Sequence, residues 1–192
     1  LLEDALTPKT KLLFLCHPQN PTGRAFGRDE LAAVADVCAR HDITICSDEI
    51  FCDLVLNGSR HIPIASLDDK TAARTMTLMS PGKTFNVAGL NFAYAIVPDA
   101  ARRRALVSQS EETLPYPNLV GYEACLAAYR DGEEWRQDLL SILRRNHDIV
   151  REFVDGMPGW AMDTVEATYL AWIDMRNAGI ADPYTHFRSN DV

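Results

Sequence analysis

Apolar and polar positions alternate along the chain in a repeating order of short apolar runs and amphipathic stretches. Lys11 to Cys16 is a compact apolar run, and the turn-rich stretch Pro18-Gln19-Asn20-Pro21-Thr22-Gly23 follows it. From about Arg28 to Arg40, Leu31, Val34, Ala35, Val37 and Cys38 fall on one helical face. Ile43 to Cys46 is a second short run, ending at Ser47-Asp48-Glu49. Strand, helix and strand at this length predict a βαβ unit of a parallel sheet covered by helices.

A polar stretch from Asn57 to Lys70 leads into a third strand, Thr75 to Met79, and Phe92 to Val97 is a fourth. Asp99 caps an arginine-rich helix from Ala100 to Val107, which Leu114-Pro115-Tyr116-Pro117 breaks. A further helix runs from about Asn118 to Tyr129 and stops near Asp131-Gly132. Glu134 to Val154 carries Trp135, Leu139, Ile142, Leu143, Val150 and Phe153 as a long amphipathic helix suited to bridging two domains. Trp160 to Met162 and Thr168 to Ile173 read as strands, and Pro183 to Ser189 as a short helix.

The expected fold is therefore α/β, a mostly parallel sheet covered by helices over residues 1–140. An interdomain helix and the start of a small α+β domain follow over 141–192. The chain opens at Leu1 in what reads as a helix end and closes at Val192 just after a helix-like stretch. Both ends are expected to be cuts within a larger protein.

Composition narrows the function. A net charge of −8 argues against nucleic acid and anionic membranes as partners. The five cysteines, Cys16, Cys38, Cys46, Cys52 and Cys125, are scattered and mostly inside apolar segments, as expected of reduced core residues in an intracellular, cytoplasmic protein. The five histidines have no ligand-like spacing to one another or to the cysteines, so no metal site is expected. No apolar run approaches a membrane span.

The chemistry gathers around Ser80-Pro81-Gly82-Lys83-Thr84, a loop between two strands. Lys83 is an exposed loop lysine, part of a phosphate-binding P-loop, or an amine that forms a Schiff base with a carbonyl cofactor. The P-loop needs a glycine at position 77, which is Thr77, and a helix that Asn86 and Gly89 discourage. Ligands of parallel α/β sheets collect at the carboxyl ends of strands. Asn20, Asp48, and Ser80 with Lys83 lie after the first, second and third strands. Each alone has a plainer reading: Asn20 as a turn residue, Asp48 as a helix cap, Ser80 as a loop hydroxyl. Together they fit a pyridoxal phosphate pocket of amine, carboxylate, amide and hydroxyl.

Asn20-Pro21-Thr22-Gly23, Ser47-Asp48-Glu49-Ile50 and Ser80-x-x-Lys83 occur in this order in fold-type I pyridoxal phosphate enzymes, the aminotransferase class I/II superfamily, which the chain resembles. Asp48-Glu49-Ile50-x-x-Asp53-Leu54, His61-Ile62-Pro63, Lys83-Thr84-Phe85-Asn86-x-Ala88-Gly89-Leu90 and Glu166-Ala167-Thr168-Tyr169-Leu170-Ala171-Trp172 look like its cystathionine β-lyase-like branch. The resemblance implies Lys83 as the Schiff-base lysine, Asp48 as pyridinium partner, Asn20 as donor to the ring O3′ and Ser80 as a phosphate contact.

It also implies a homodimer acting on a small amino-acid substrate. The expected reaction is α,β-elimination on an S-substituted cysteine, giving thiol, pyruvate and ammonia. Transamination, or a non-catalytic protein on the same fold, are the alternatives. Three positions depart from the pattern. Phe51 stands where the superfamily has Tyr or His, and Gly82 where the branch often has Ser. Asn91 replaces an arginine of aspartate aminotransferases, in agreement with the lyase branch. The family's ring-stacking aromatic and substrate-carboxylate arginine are expected outside the chain. Arg102, Arg103, Arg104, Arg144, Arg145 and Arg176 are expected to be solvated helix charges.

Overall fold

The computed structural model of the chain describes residues 1–114 and 116–190. Its main sheet has strands β1 (Leu12–Cys16), β2 (Thr44–Asp48), β3 (Thr75–Met79) and β4 (Tyr94–Ile96), in that spatial order. β1, β2 and β3 run parallel, and β4 is antiparallel to β3. Helix α1 (Arg28–Arg40) makes the crossover from β1 to β2. The mostly parallel, helix-covered sheet is thus observed as expected.

Alternation along the strands gives the sheet two unlike faces. Leu15, Ile45 and Ile64 pack with Leu31, Ala35 and Cys38 of α1 and with Ile43 in one cluster. Burying each Leu or Ile there is worth about 1.5–3 kcal/mol. The other face, by register, carries Phe14, Cys46 and Met76, then Cys16, Asp48 and Leu78 at the strand ends. Phe14 on it is 73% exposed.

The polar stretch before β3 contains more structure than its composition suggests. A 3-10 turn forms at Ile64–Ser66, and a short helix, α2, spans Asp69–Arg74. Asp68 caps α2 by accepting from the Thr71 amide at 2.8 Å. After β4, helix α3 extends over Ala100–Thr113, six residues beyond the expected end, with Asp99 accepting from the Arg102 amide. Of the expected break that follows α3, Pro115 lies outside the described residues.

Helices α4 (Leu119–Asp131) and α5 (Glu133–Asp155) follow. α5 lays Leu140 against Phe51, Leu54, Leu56 and Val165 in a second core cluster. It also sends three arginines to backbone carbonyls: Arg136 to Asp53, Arg144 to Leu56 and Arg151 to Met162, at 2.9, 2.8 and 3.0 Å. Arg102 and Arg103 likewise bond the carbonyls of Ala73 and Val97. Arg102 and Arg144 are therefore pins between elements, where the sequence suggested solvated charges, while Arg103 stays exposed.

A two-stranded antiparallel sheet, β5 (Ala161–Met162) with β6 (Ile173–Asp174), and helix α6 (Pro183–Ser189) complete the order. The run from Thr168 to Trp172, expected as strand, is irregular. Thr168 sits at φ +74°, and only Ala167 makes a bridge, to Val55. Among the described residues no helix is long and apolar enough to cross a membrane.

Candidate active site

The candidate residues all lie at or just after the carboxyl ends of β1, β2 and β3. Asp48 is the last residue of β2, paired in register with Cys16 on one side and Leu78 on the other. The ladder continues one step further, with the His17 amide donating to the Asp48 carbonyl at 2.9 Å and the Glu49 amide to Leu78 at 3.0 Å. Asn20 follows Cys16 by four residues, and Ser80 and Lys83 follow Leu78 by two and five. The topology therefore delivers all four to one end of the sheet.

Each is held by local structure. The Asn20 turn is closed by the Gln19 amide on the Arg24 carbonyl and the Gly23 amide on the Gln19 carbonyl, both at 2.8 Å. The Gln19 side chain ties the tip, its Oε1 accepting from Thr22 Oγ1 at 2.6 Å. Asp48 Oδ1 accepts from the Ile50 amide at 3.2 Å, which turns the chain out of the sheet. By strand alternation the Asp48 carboxylate lies on the face opposite Ser47, the face that also carries the Cys16 and Leu78 side chains.

The lysine loop is braced at both ends. Ser80 Oγ donates to the Phe92 carbonyl at 2.8 Å and accepts from the Gly82 amide at 3.0 Å. The Phe85 amide bonds the Pro81 carbonyl at 2.9 Å, closing the turn that carries Lys83. Phe85 itself lies between Tyr129 and Trp135, with ring centroids 5.7 and 5.9 Å away. None of the ion pairs among the described residues engages Lys83, and its side chain is half-buried.

Two of the departures from the family pattern have packing explanations. Phe51 is 2% exposed, belongs to the second core cluster and meets Tyr169 edge-on at 5.5 Å. It is a core residue here. At Gly82 a Cβ would come within 3.1 Å of both the Ala88 Cα and Ser80 Oγ, so the loop closes more tightly than a serine would permit without adjustment.

Behind Asp48, on the opposite face, lies a buried polar network that carried no role in the sequence reading. Glu49 accepts from Ser47 Oγ at 2.8 Å, from His61 Nε2 at 2.6 Å and from the Ile64 amide at 3.3 Å. The fully buried His17 ring lies 4.4 Å from that of His61. Burial first, and then the charge on His61, pull the His17 pKa below 6.5. Glu166, from the segment after α5, accepts from the Ala25 amide at 2.8 Å. One sequence signal bears on it: a single carboxylate in the apolar run around Thr168 to Trp172 needs a partner if the run is buried.

The fold is a mostly parallel, helix-covered α/β sheet, and Asn20, Asp48, Ser80 and Lys83 all lie at or after strand ends on its carboxyl edge. The chain belongs to the aminotransferase class I and II family, which it matches over residues 1–187. It is 36% identical over 177 residues to cystathionine beta-lyase PatB of Bacillus subtilis, covering 91% of this chain and 46% of PatB. It superposes on the crystal structure of OvoB with a TM-score of 0.94 at 43% identity, covering 97% of this chain and 50% of OvoB. Against cystalysin of Treponema denticola, whose structure contains pyridoxal 5′-phosphate, the TM-score is 0.81 at 31% identity, over 95% of this chain and 44% of cystalysin. The chain spans just under half the length of the curated relatives it matches.

Proposed function

We propose that the chain carries the lysine-bearing part of a pyridoxal phosphate-dependent carbon–sulfur lyase that cleaves S-substituted cysteines by α,β-elimination. The observation that supports this best is the placement of Asp48 at the end of the middle strand. It stands between the strand ends that lead to Asn20 and to Ser80 and Lys83. The set also fits the group chemically. The cofactor needs an amine for its aldehyde, an anion for its ring nitrogen and a donor for its ring oxygen. Buried Thr84 Oγ1, beside Lys83, adds a hydroxyl with no hydrogen-bond partner among the described residues.

In this reading Lys83 Nζ would hold the cofactor aldehyde and would take the proton from the substrate Cα. The Asp48 carboxylate keeps a proton on the pyridine nitrogen. The bound ring supplies an electron sink for charge developing at Cα. Asn20 donates from its amide to the ring oxygen O3′. Ser80, whose hydroxyl now donates to the Phe92 carbonyl, would donate to a phosphate oxygen instead. Loss of the Cα proton and cleavage of the Cβ–S bond release a thiol, and hydrolysis of the remainder gives pyruvate and ammonia. An amino-acid substrate, a homodimeric assembly and a cytoplasmic location belong to the same proposal, and the five free cysteines agree with the last.

The test is the visible spectrum of the full-length protein with pyridoxal phosphate, before and after cystathionine, beside that of Lys83→Ala. The band of the lysine-bound cofactor is expected in the wild type and absent from the variant. Thiol and pyruvate should appear without any oxo-acid acceptor. A band that survives Lys83→Ala rules out this lysine. The family also contains aminotransferases, so strict dependence on an oxo acid would replace elimination by transamination.

A further inference from the structure

The segment Val165–Thr168 crosses the loop after β1 that carries Asn20 and the segment that follows Asp48 after β2, and bonds to each. On one side the Glu166 and Ala167 amides both donate to the Gly23 carbonyl, at 2.9 and 2.8 Å, and the Glu166 carboxylate accepts from the Ala25 amide at 2.8 Å. On the other side the Leu56 amide donates to the Glu166 carbonyl at 2.7 Å, the Thr168 amide donates to the Leu54 carbonyl at 2.9 Å, and Ala167 bridges Val55. Gly23, at φ +72°, has no room for a Cβ, because Val165 Cγ1 would lie 2.7 Å from it and the Ala167 carbonyl 2.9 Å. The contact is therefore close as well as hydrogen-bonded.

The backbone of this segment is strained at a residue that strongly disfavours it. Thr168 is β-branched, completely buried and at φ +74°. Its Oγ1 accepts from the Leu170 amide at 3.1 Å, and the next residue, Tyr169, meets Phe51, three residues beyond Asp48. Strain of this kind persists only where the surroundings over-determine it, and such residues cluster at functional sites.

We propose that Val165–Thr168 is a strap that sets the spacing between the Asn20 turn and the segment following Asp48, with Glu166 as its positioning residue. The inference rests on the pyridoxal phosphate reading given above. Asn20 sits at a turn whose descending limb, Gly23 to Ala25, is held from within by Gln19 and from outside by Glu166 and Ala167. Removing the Glu166 carboxylate releases the Ala25 amide and lets the limb shift, which moves the Asn20 amide relative to the ring oxygen it serves. Glu166 touches neither cofactor nor substrate in this scheme, so its loss should register in cofactor affinity and in the ring's electronic environment.

The experiment uses the full-length protein as wild type, Glu166→Ala, Glu166→Gln and Asn20→Ala. Two quantities are read: the pyridoxal phosphate dissociation constant and the pH midpoint of the bound cofactor's visible band. Glu166→Ala is expected to weaken binding about tenfold, the factor carried by one charge-assisted hydrogen bond, and to move the midpoint in the same direction as Asn20→Ala. Glu166→Gln should recover much of both, since its amide oxygen can still accept from Ala25. A lowered melting temperature with both quantities unchanged would overturn the proposal.

Should Glu166→Ala fail to fold, hydrogen exchange in the wild type decides. Cofactor binding must then slow exchange at Ala25 and at Glu166 to Thr168 together, because coupling between sites is reciprocal, and equal rates with and without cofactor would overturn it. Lys83→Ala separates the two levels. A band that persists there removes the reading beneath the strap. A band lost there but indifferent to Glu166→Ala removes the strap alone.

Discussion

Glu49 accepts a 2.6 Å hydrogen bond from His61 Nε2 in a space where their side chains are 1% and 8% exposed. Ser47 Oγ and the Ile64 amide supply two further donors to the same carboxylate. Glu49 is the neighbour of Asp48, so this cluster anchors the end of β2 from the face opposite the candidate site. Removing the Glu49 carboxylate leaves three buried donors without their acceptor, at a cost of about 3–5 kcal/mol in all when each such group costs about 1–3 kcal/mol. Glu49→Ala is expected to lose stability in that range by urea unfolding of the full-length protein. A loss below about 1 kcal/mol, the scale of an exposed pair, would show that the pair carries little of the strand end.

His17 supplies a pH dependence with a definite sign. Its Nδ1 accepts from the Phe26 amide at 3.4 Å, so Nε2 carries the hydrogen that goes to the Ile62 carbonyl at 3.1 Å. Burial, followed by the charge on His61, holds the folded pKa below 6.5, while the hydrogen bond to the Ile62 carbonyl, then Glu49 and Glu30, act the other way. Between the folded value and 6.5 the unfolded chain binds the proton and the folded chain does not. Stability from this group is therefore complete above 6.5 and is lost as the pH falls through that window. An NMR titration of the His17 ring in the full-length protein should show a midpoint below 6.5; a midpoint at or above it contradicts the assignment.

The accuracy of the sequence reading followed the range of the forces involved. Helix α1 was legible at its observed bounds, because Leu31, Ala35 and Cys38 repeat at helical spacing against one sheet face. β3 was legible too, as a short apolar run. Helix α2 was not, since six residues give too little periodicity, although Asp68 and Thr71 stand at capping distance in the sequence. The run after Ala167 has strand composition and no strand, because its backbone groups are taken by Leu54 and by Thr168 itself.

The site divides in the same way. Asn20, Asp48, Ser80 and Lys83 could be singled out because polar residues just past apolar runs mark strand ends. Glu166 could not be given a role, since its partner Ala25 lies 141 residues away. Arg144 is a pin and not a solvated charge for the same reason: it meets Leu56 across 88 residues.

Ser80 is a hinge pin of the lysine loop in the structure, whatever else it binds. Its hydroxyl joins the Phe92 carbonyl to the Gly82 amide, so Ser80→Ala leaves a donor and an acceptor without their partner. The expected loss is about 1–3 kcal/mol by urea unfolding of the cofactor-free full-length protein. In the proposed pocket the same change should also weaken pyridoxal phosphate binding. An unaltered unfolding free energy would mean that water replaces the hydroxyl on both partners.

Gly23 and Gly58 separate backbone strain from close contact. Both have φ in the left-handed region, +72° and +80°, yet a Cβ at Gly58 meets nothing within 4 Å, whereas at Gly23 it strikes Val165 and the Ala167 carbonyl. Gly58→Ala should cost only the conformational penalty, about 1–2 kcal/mol. Gly23→Ala adds overpacking against backbone that cannot swing aside, for a total of about 2–5 kcal/mol. The comparison is made by urea unfolding of the two full-length variants in parallel. Equal losses would mean that the segment from Val165 to Ala167 yields to an added methyl, and with it the tight seat that it gives the Asn20 turn.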